Sequence, residues 1–347
     1  MELYEKAILH DIDKTISLLK KNKSKSIYPF LCLDLESLYE ICAETGVENF
    51  PIYDIDDRIV DDFFCKKLDP LMVKNLSDSY EIIKNLTNVI LNFYENYPTY
   101  KLYNYVPKQY VSLEKSVDIC TDFLDEYNQK FLDILYGLFK EKKLLTPGNC
   151  VIGENLFGAS YNSYLTFSSY IIFQNSYTIS SAITLAHETA HIYSYNLTRN
   201  YPLIKKIKKM ISLTQETRPF TTELFFLDYL KTHKICPDDI KLIQGEFNGS
   251  LYEHAIKIAD LIEGYEDDMN KIIKDDDYVK ASLYLLGRVF ALYLFSLNDK
   301  EKIDYLLDRI DIECCDKYFM DILKDNNMDY EDIMNFDSAS KLILKRW

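Results

Sequence analysis

Glycine, proline, tryptophan and histidine are all scarce in this chain. Its 347 residues include 9 glycines, 9 prolines, 1 tryptophan and 5 histidines. Barrels and sandwiches of many short strands need tight turns that are rich in glycine and proline. The scarcity of both residues therefore argues against an all-β architecture and favours long helices. Hydrophobic residues make up 48% of the chain and charged residues 27%, which is typical of a globular protein rather than a disordered one.

Basic residues are also too few to balance the acidic ones. The chain has 40 lysines and arginines against 55 aspartates and glutamates, which gives a net charge of −15. A protein that binds nucleic acid neutralises phosphates with a basic face. The charge balance therefore predicts that nucleic acid is not a partner.

Long uncharged apolar runs and paired cysteine motifs are lacking as well. The longest apolar stretch, residues 279–297, contains Lys280 and Arg288, so it falls short of the uninterrupted apolar run typical of a membrane span. Residues 1–23 are charged throughout, unlike the apolar core of a secretory signal. The 8 cysteines are scattered without C-x-x-C spacing, as expected for free thiols in a reducing compartment. We therefore expect a cytoplasmic protein with no membrane partner.

The dominant pattern in the sequence is the spacing of apolar residues that is typical of helices. Apolar residues recur at intervals of three and four through residues 1–145, which predicts an N-terminal helical region. Residues 150–176 are rich in Tyr, Phe, Ile and Ser, and Tyr170–Asn175 is typical of a strand. The helical pattern returns at Ser180, which is a suitable N-cap. It continues to the end of the sequence and predicts, among others, helices over Lys302–Leu323 and Tyr330–Lys345. The sequence predicts a mainly α protein with regions 1–145 and 146–347, the second holding one small β-sheet at 150–176.

The strongest chemical signal is the sequence His187-Glu188-Thr189-Ala190-His191. On a helix, two histidines four residues apart share one face and are separated by about 6 Å along the axis. Such a pair can bind one zinc ion, while the intervening glutamate lies beside the open coordination position of the metal. A carboxylate placed there can accept a proton from zinc-bound water, whose pKa the metal lowers to about 7. The alternative is a helix whose histidines are ordinary surface or core residues.

A catalytic zinc site needs a third protein ligand. Glu216 follows His191 by 25 residues, beyond a break at 199–202. That distance leaves room for a turn and a returning helix that brings a carboxylate back to the metal. Two histidines, one glutamate and a water molecule form an established catalytic arrangement.

Residues from about 145 to 297 resemble the catalytic region of the oligoendopeptidase F and thimet oligopeptidase family of zinc peptidases. The family has a strand segment, a T-L-A-H-E-x-x-H helix and an E-x-x-S-x-x-x-E pattern on the next helix. The corresponding parts of this chain are Tyr170–Asn175, Thr184–His191 and the pair Glu216 and Glu223. The resemblance implies a zincin-like, multi-helix catalytic region with a small sheet beside the zinc helix.

The same resemblance implies roles for individual residues. His187, His191 and Glu216 would bind one zinc ion per chain, and Glu188 would act as the general base. Glu223 would orient a ligand histidine, with an ordinary surface carboxylate as the alternative. Tyr284, which precedes Gly287 as a family tyrosine does, would stabilise the oxyanion; a core or surface role is the alternative.

Two departures from the family pattern lead to further expectations. Pro219 stands where the family has serine, and proline lacks the N–H of a helical hydrogen bond. The helix is therefore expected to begin or kink near Arg218. The N-terminal part is shorter than in most of the family, so an exposed edge of the predicted strand Tyr170–Asn175 could bind an extended peptide by main-chain hydrogen bonds.

Together these features predict a zinc-dependent metalloendopeptidase that hydrolyses peptide bonds in peptides, with water activated by Glu188. The alternative is a catalytically idle family member that binds peptide or a protein partner in the same cleft. Retention of Glu188 favours the enzyme, because binding alone does not need a base.

Overall fold

The structure is a computed structural model of the chain. It describes residues 3–23, 25–96, 108–146, 158–163, 165–166, 168–173 and 176–328. The fold is mainly α with one small sheet, as predicted. The predicted helix over Tyr330–Lys345 lies outside the described residues.

The helices follow one another through most of the described chain. The first part contains α1 (Leu3–Asn22), α2 (Tyr28–Thr45), α3 (Asp57–Phe63), a π-helical turn (Phe64–Leu68), α4 (Asp69–Asn96), α5 (Leu113–Tyr127) and α6 (Gln129–Glu141). The second part contains α7 (Ser180–Leu197), α8 (Leu203–Met210), α9 (Thr217–Thr232), α10 (Pro237–Gly264), α11 (Met269–Ile272), α12 (Asp276–Ser296), α13 (Lys300–Glu313) and α14 (Phe319–Asp325).

Two helix boundaries differ from the sequence-based expectation. Ser180 is the first residue of α7 rather than its cap, and the cap position is taken by Ile179 without a side-chain hydrogen bond. The helix predicted over Lys302–Leu323 is split into α13 and α14. Phe319 is buried, and its backbone N–H donates to Asn75 Oδ1 at 3.3 Å. This packing against α4 turns the chain where local periodicity alone predicted one helix.

Among the described residues the sheet has three strands in the order β1-β3-β2: β1 (Leu144–Leu145), β2 (Gly158–Asn162) and β3 (Ser169–Phe173). β1 is parallel to β3, and β2 is antiparallel to it with Gly158 opposite Phe173. The apolar strand β3 is therefore central and paired on both sides, so the expectation that it offers an exposed edge is wrong. Within the described residues, β2 forms an outer edge of this sheet and its residues are half-buried. Gln174 and Asn175 lie outside the described residues.

The chain forms two compact units, each built from two segments. Unit 1 consists of Met1–Leu68 and Tyr110–Leu203, and unit 2 consists of Asp69–Gln109 and Ile204–Trp347. The division at residue 145 that the sequence predicts follows chain order and stays a prediction.

A buried polar network holds the sheet of unit 1 against α1. Asp11 accepts hydrogen bonds from Ser168 Oγ at 2.5 Å and Tyr170 Oη at 2.6 Å, and its carboxylate lies 3.2 Å from Lys143 Nζ. Burial alone would raise the pKa of Asp11, but these hydrogen bonds and the lysine charge outweigh it and lower that pKa. The carboxylate is therefore stabilised in its charged form, and it anchors the connection that leads into β3.

The core of unit 2 is helical. Helix α12 packs against α9, α10 and α4, and its apolar side chains are mostly buried, as those of Leu285, Phe290 and Leu294 are. Its length and composition would also suit a membrane-crossing segment, but 61% of that apolar window is buried inside the protein. Core helices of globular proteins share this property, and we treat α12 as one of them.

Candidate metal centre

Helix α7, which belongs to unit 1, carries His187, Glu188 and His191. It packs against α5, α6, β2 and β3, so most of its surface is buried. Its small residues Ala186 and Ala190 are fully buried, and the ring of Tyr193 stacks on Phe131 at 4.5 Å between centroids. A helix enclosed in this way holds its side chains in fixed directions, which a metal site requires.

The two histidines face each other at a spacing that suits a shared metal ion. Both are half-buried, and the Nε2 atoms of His187 and His191 lie 3.2 Å apart. Two nitrogens bound to a tetrahedral zinc at the usual bond length would be separated by about 3.3 Å. The i and i+4 placement predicted from the sequence therefore gives the pair the spacing of two ligands on one ion.

Glu188 lies beside strand β2. Its side chain is buried, with 6% of its surface exposed. A Cβ atom built on Gly158 would lie 3.5 Å from Glu188 Oε1 and only 2.5 Å from Thr184 Cγ2. Only glycine allows β2 to approach α7 so closely. The sequence analysis did not identify this packing role of Gly158, which depends on a helix more than 20 residues away in the chain.

Glu216 lies at the N-cap position of α9, within unit 2. It is 7% exposed, and its backbone carbonyl accepts the first helical hydrogen bond, from Phe220 N at 3.1 Å. Pro219 is in the first turn, where backbone N–H groups have no helical partner, so its missing N–H breaks no bond. The helix thus begins just after Glu216, in accordance with the expectation drawn from Pro219.

His187, His191 and Glu216 lie close enough together to hold a metal ion. Each offers one ligand atom, and these atoms all lie within 4.8 Å of one another. Two imidazole nitrogens and one carboxylate oxygen form a donor set that zinc accepts, with a fourth position left for water. The residues present therefore fit the metal that the resemblance implies.

Tyr284 and Glu223 have surroundings that leave their predicted roles open. Tyr284 lies on α12, one helical turn before Gly287, and its ring is stacked on His254 at 5.2 Å and tilted against Phe220 at 5.9 Å. Glu223 is half-buried on α9, two turns after Glu216. Both roles stay predictions.

His254 stacks on Tyr284 within unit 2. Burial lowers its pKa to about 4, although the hydrogen bond to Ser250 raises it; the nearby charge of Arg288 adds to the lowering. His254 Nδ1 donates to the Ser250 carbonyl oxygen at 2.5 Å. At neutral pH the ring is therefore uncharged, with its proton on Nδ1.

Comparisons with known proteins give one fold relationship. No family model matches the chain. No curated protein matches its sequence. Among solved structures, the chain is similar to the crystal structure of a "putative peptidase from Chlamydophila abortus", with a TM-score of 0.55 and 14% sequence identity. The match covers 79% of this chain and 57% of that chain, and at this identity it shows that the two proteins share a fold.

Proposed function

We propose that the protein is a zinc-dependent metalloendopeptidase related to the oligoendopeptidase F and thimet oligopeptidase family. The observation that carries the proposal is the geometry around α7. Two imidazole nitrogens lie 3.2 Å apart, a buried carboxylate follows the first of them in the chain, and Glu216 completes a set that could hold a metal. The shared fold with a protein described as a "putative peptidase" supports the same class of activity.

The proposed metal ligands are His187, His191 and Glu216. A zinc ion bound there would polarise the scissile carbonyl and lower the pKa of its water molecule. Glu188 accepts the proton of the attacking water and then donates it to the nitrogen of the leaving amine. Because Glu188 is buried beside β2, its carboxylate is held in one direction for both transfers.

The proposed substrate is a peptide in extended form. Strand β2 is next to Glu188, and its half-buried residues form an outer edge of the sheet among the described strands. An extended peptide can add to such an edge through main-chain hydrogen bonds, which brings its carbonyl groups into register without selecting one sequence. The proposed location is the cytoplasm, in accordance with the free state of the described cysteines.

The decisive experiment distinguishes the role of Glu188 as general base from the role of the histidines as metal ligands. Glu188→Gln keeps the size of the side chain but removes the proton acceptor, so zinc content should be unchanged. General acid–base catalysis contributes about 10²–10⁴-fold, and cleavage of quenched fluorescent peptide libraries should fall by at least that factor. His187→Ala and His191→Ala should instead lose the zinc, measured by elemental analysis of the same preparations.

Glu253→Gln, on an exposed position of α10, is the matched control and should cleave peptides as the parent does. Undiminished cleavage by Glu188→Gln would contradict the mechanism. Peptide binding without cleavage by the zinc-loaded parent would favour the catalytically idle alternative.

A further inference from the structure

The start of α9 is fixed by two contacts within unit 2 that are independent of any metal. The first contact is with α12. A Cβ atom built on Gly287 would lie 2.5 Å from Glu216 Cβ, 3.1 Å from its carbonyl carbon and 3.2 Å from its Cα. Real Cβ atoms essentially never lie as close as 2.5 Å to another carbon, and the other two distances are tighter than most Cβ contacts. Gly287 therefore lets the backbone of Glu216 lie directly against α12.

The second contact is an ion cluster around a buried arginine two residues after Glu216, in which Asp311 is buried and the side chain of Asp308 is 37% exposed. Arg218 is only 2% exposed, and a guanidinium stays positively charged in proteins. Its Nε donates to Asp311 Oδ2 at 2.5 Å and its Nη2 donates to Asp308 Oδ1 at 2.7 Å, both on α13. Lys209 Nζ lies 3.8 Å from the other oxygen of Asp311. Two cations thus face two carboxylates.

A buried guanidinium held by two carboxylates has little freedom to move, because any displacement would leave charges in the interior without partners. The planar fork of arginine binds two acceptors in set directions, which lysine cannot reproduce. Arg218 is in the first turn of α9, so this fork also determines where that turn lies. Gly287 allows the start of α9 to lie close against α12, and Arg218 ties it to α13.

We infer that Gly287 and Arg218 are positioning residues for the metal ligand Glu216. This inference rests on the proposed function, since it assigns a purpose to the rigid start of α9 only if Glu216 binds the metal. A ligand carboxylate must be held close to its productive position by the residues around it. Loss of such supporting residues typically costs about 10–100-fold in metal affinity.

Gly287→Ala tests the contact with α12 in the full-length protein. The new methyl group must displace Glu216, so zinc affinity, measured by competition with a chromogenic chelator, should fall about 10–100-fold. The visible absorption of the cobalt-loaded protein, which reports ligand geometry, should change with it. The matched control is Gly249→Ala in α10, where an added Cβ meets nothing within 4 Å. It should keep the zinc affinity and the cobalt spectrum of the parent.

Arg218→Lys tests the ion cluster. If Gly287→Ala does not fold, this variant alone tests whether the start of α9 positions Glu216. It keeps the buried charge but loses the two-pronged contact, and the same loss of zinc affinity and change of cobalt spectrum are expected. Arg309→Lys is its control, because Arg309 on α13 pairs with Glu313 near the surface. Circular dichroism of the metal-free proteins checks that each variant is folded.

The outcomes separate the two proposals. Weakened zinc binding and an altered cobalt spectrum in the folded variants, with both controls unchanged, support the positioning role. Parent-like affinity and spectrum in either folded variant overturn that role and leave the proposed function standing. If the parent protein itself binds no zinc, the proposed function fails and this inference fails with it.

Discussion

Glu216 and Glu223 lie two helical turns apart on α9, yet they differ in their surroundings. Glu216 is buried and lies against Gly287, whereas Glu223 is half-buried. Only Glu216 belongs to the group of ligand atoms that lie within 4.8 Å of one another. Removing a carboxylate that binds the metal directly should lower zinc affinity more than removing one that only orients another ligand.

We expect Glu216→Ala to weaken zinc binding far more than Glu223→Ala. Removing a ligand deletes one of three protein donors, whereas removing an orienting partner typically costs about 10–100-fold in affinity. Chelator competition on both purified variants measures the difference. The reverse order would mean that the two glutamates have exchanged their roles.

At the scale of elements, the packing of β2 on α7 determines where Glu188 points. Gly158 is opposite Phe173 in the sheet register and faces Thr184 and Glu188 on the helix. The branched side chain of threonine is stiff in a helix, so it cannot easily give way to an added methyl group. A small change in the strand therefore acts on the general base of the proposed reaction.

Gly158→Ala should reduce peptide cleavage about 10–100-fold while zinc binding is retained, because a displacement of about 1 Å at a reacting group can cost that much. The clash is mainly with Thr184 Cγ2, at 2.5 Å. The double variant Gly158→Ala, Thr184→Ser lacks this methyl group and should recover most of the activity. Gly137→Ala in α6, where an added Cβ has open space, is the control. Activity that stays at the parent level in Gly158→Ala would show that the close packing of β2 is not needed.

At the scale of the whole molecule, stability should depend on the protonation of His254. Its pKa in the folded protein is about 4, against 6.5 for an ordinary histidine. Because the folded pKa is depressed, the unfolded chain binds this proton first as the pH falls. The contribution of neutral His254 to the free energy of unfolding is therefore fully present above pH 6.5 and is lost as the pH falls towards 4.

His254→Asn keeps a donor for the Ser250 carbonyl but cannot take up a proton in this range. Between pH 7 and pH 5 the parent should lose about 2 kcal/mol more unfolding free energy than the variant, as the difference between the two pKa values requires. Urea unfolding at both pH values, followed by circular dichroism, measures this difference. His233→Asn, at an exposed histidine, should retain the pH dependence of the parent. Equal losses in the parent and in His254→Asn would show that His254 is not buried in its neutral form.

The sequence alone was enough to predict the helical class and the paired histidines of α7. Both depend on short-range periodicity: residues four apart on a helix meet whatever surrounds them, so the spacing of His187 and His191 was sufficient to assign them a common face. Pro219 was similarly informative, because proline is tolerated in the first turn of a helix and marks where one begins. The strand at Tyr170 was recognisable from its apolar and aromatic composition.

Only the tertiary structure determined which other parts of the protein those elements contact. Among the described strands it made β3 central and β2 an outer strand. It also divided the helix expected over Lys302–Leu323, and it brought Gly287 against Glu216 and Asp311 against Arg218. These contacts join residues far apart in the chain, and no local pattern encodes which distant partner a glycine or a buried arginine will have. Burial of apolar surface drives such contacts and is not directional, so their geometry depends on the packing of the whole core.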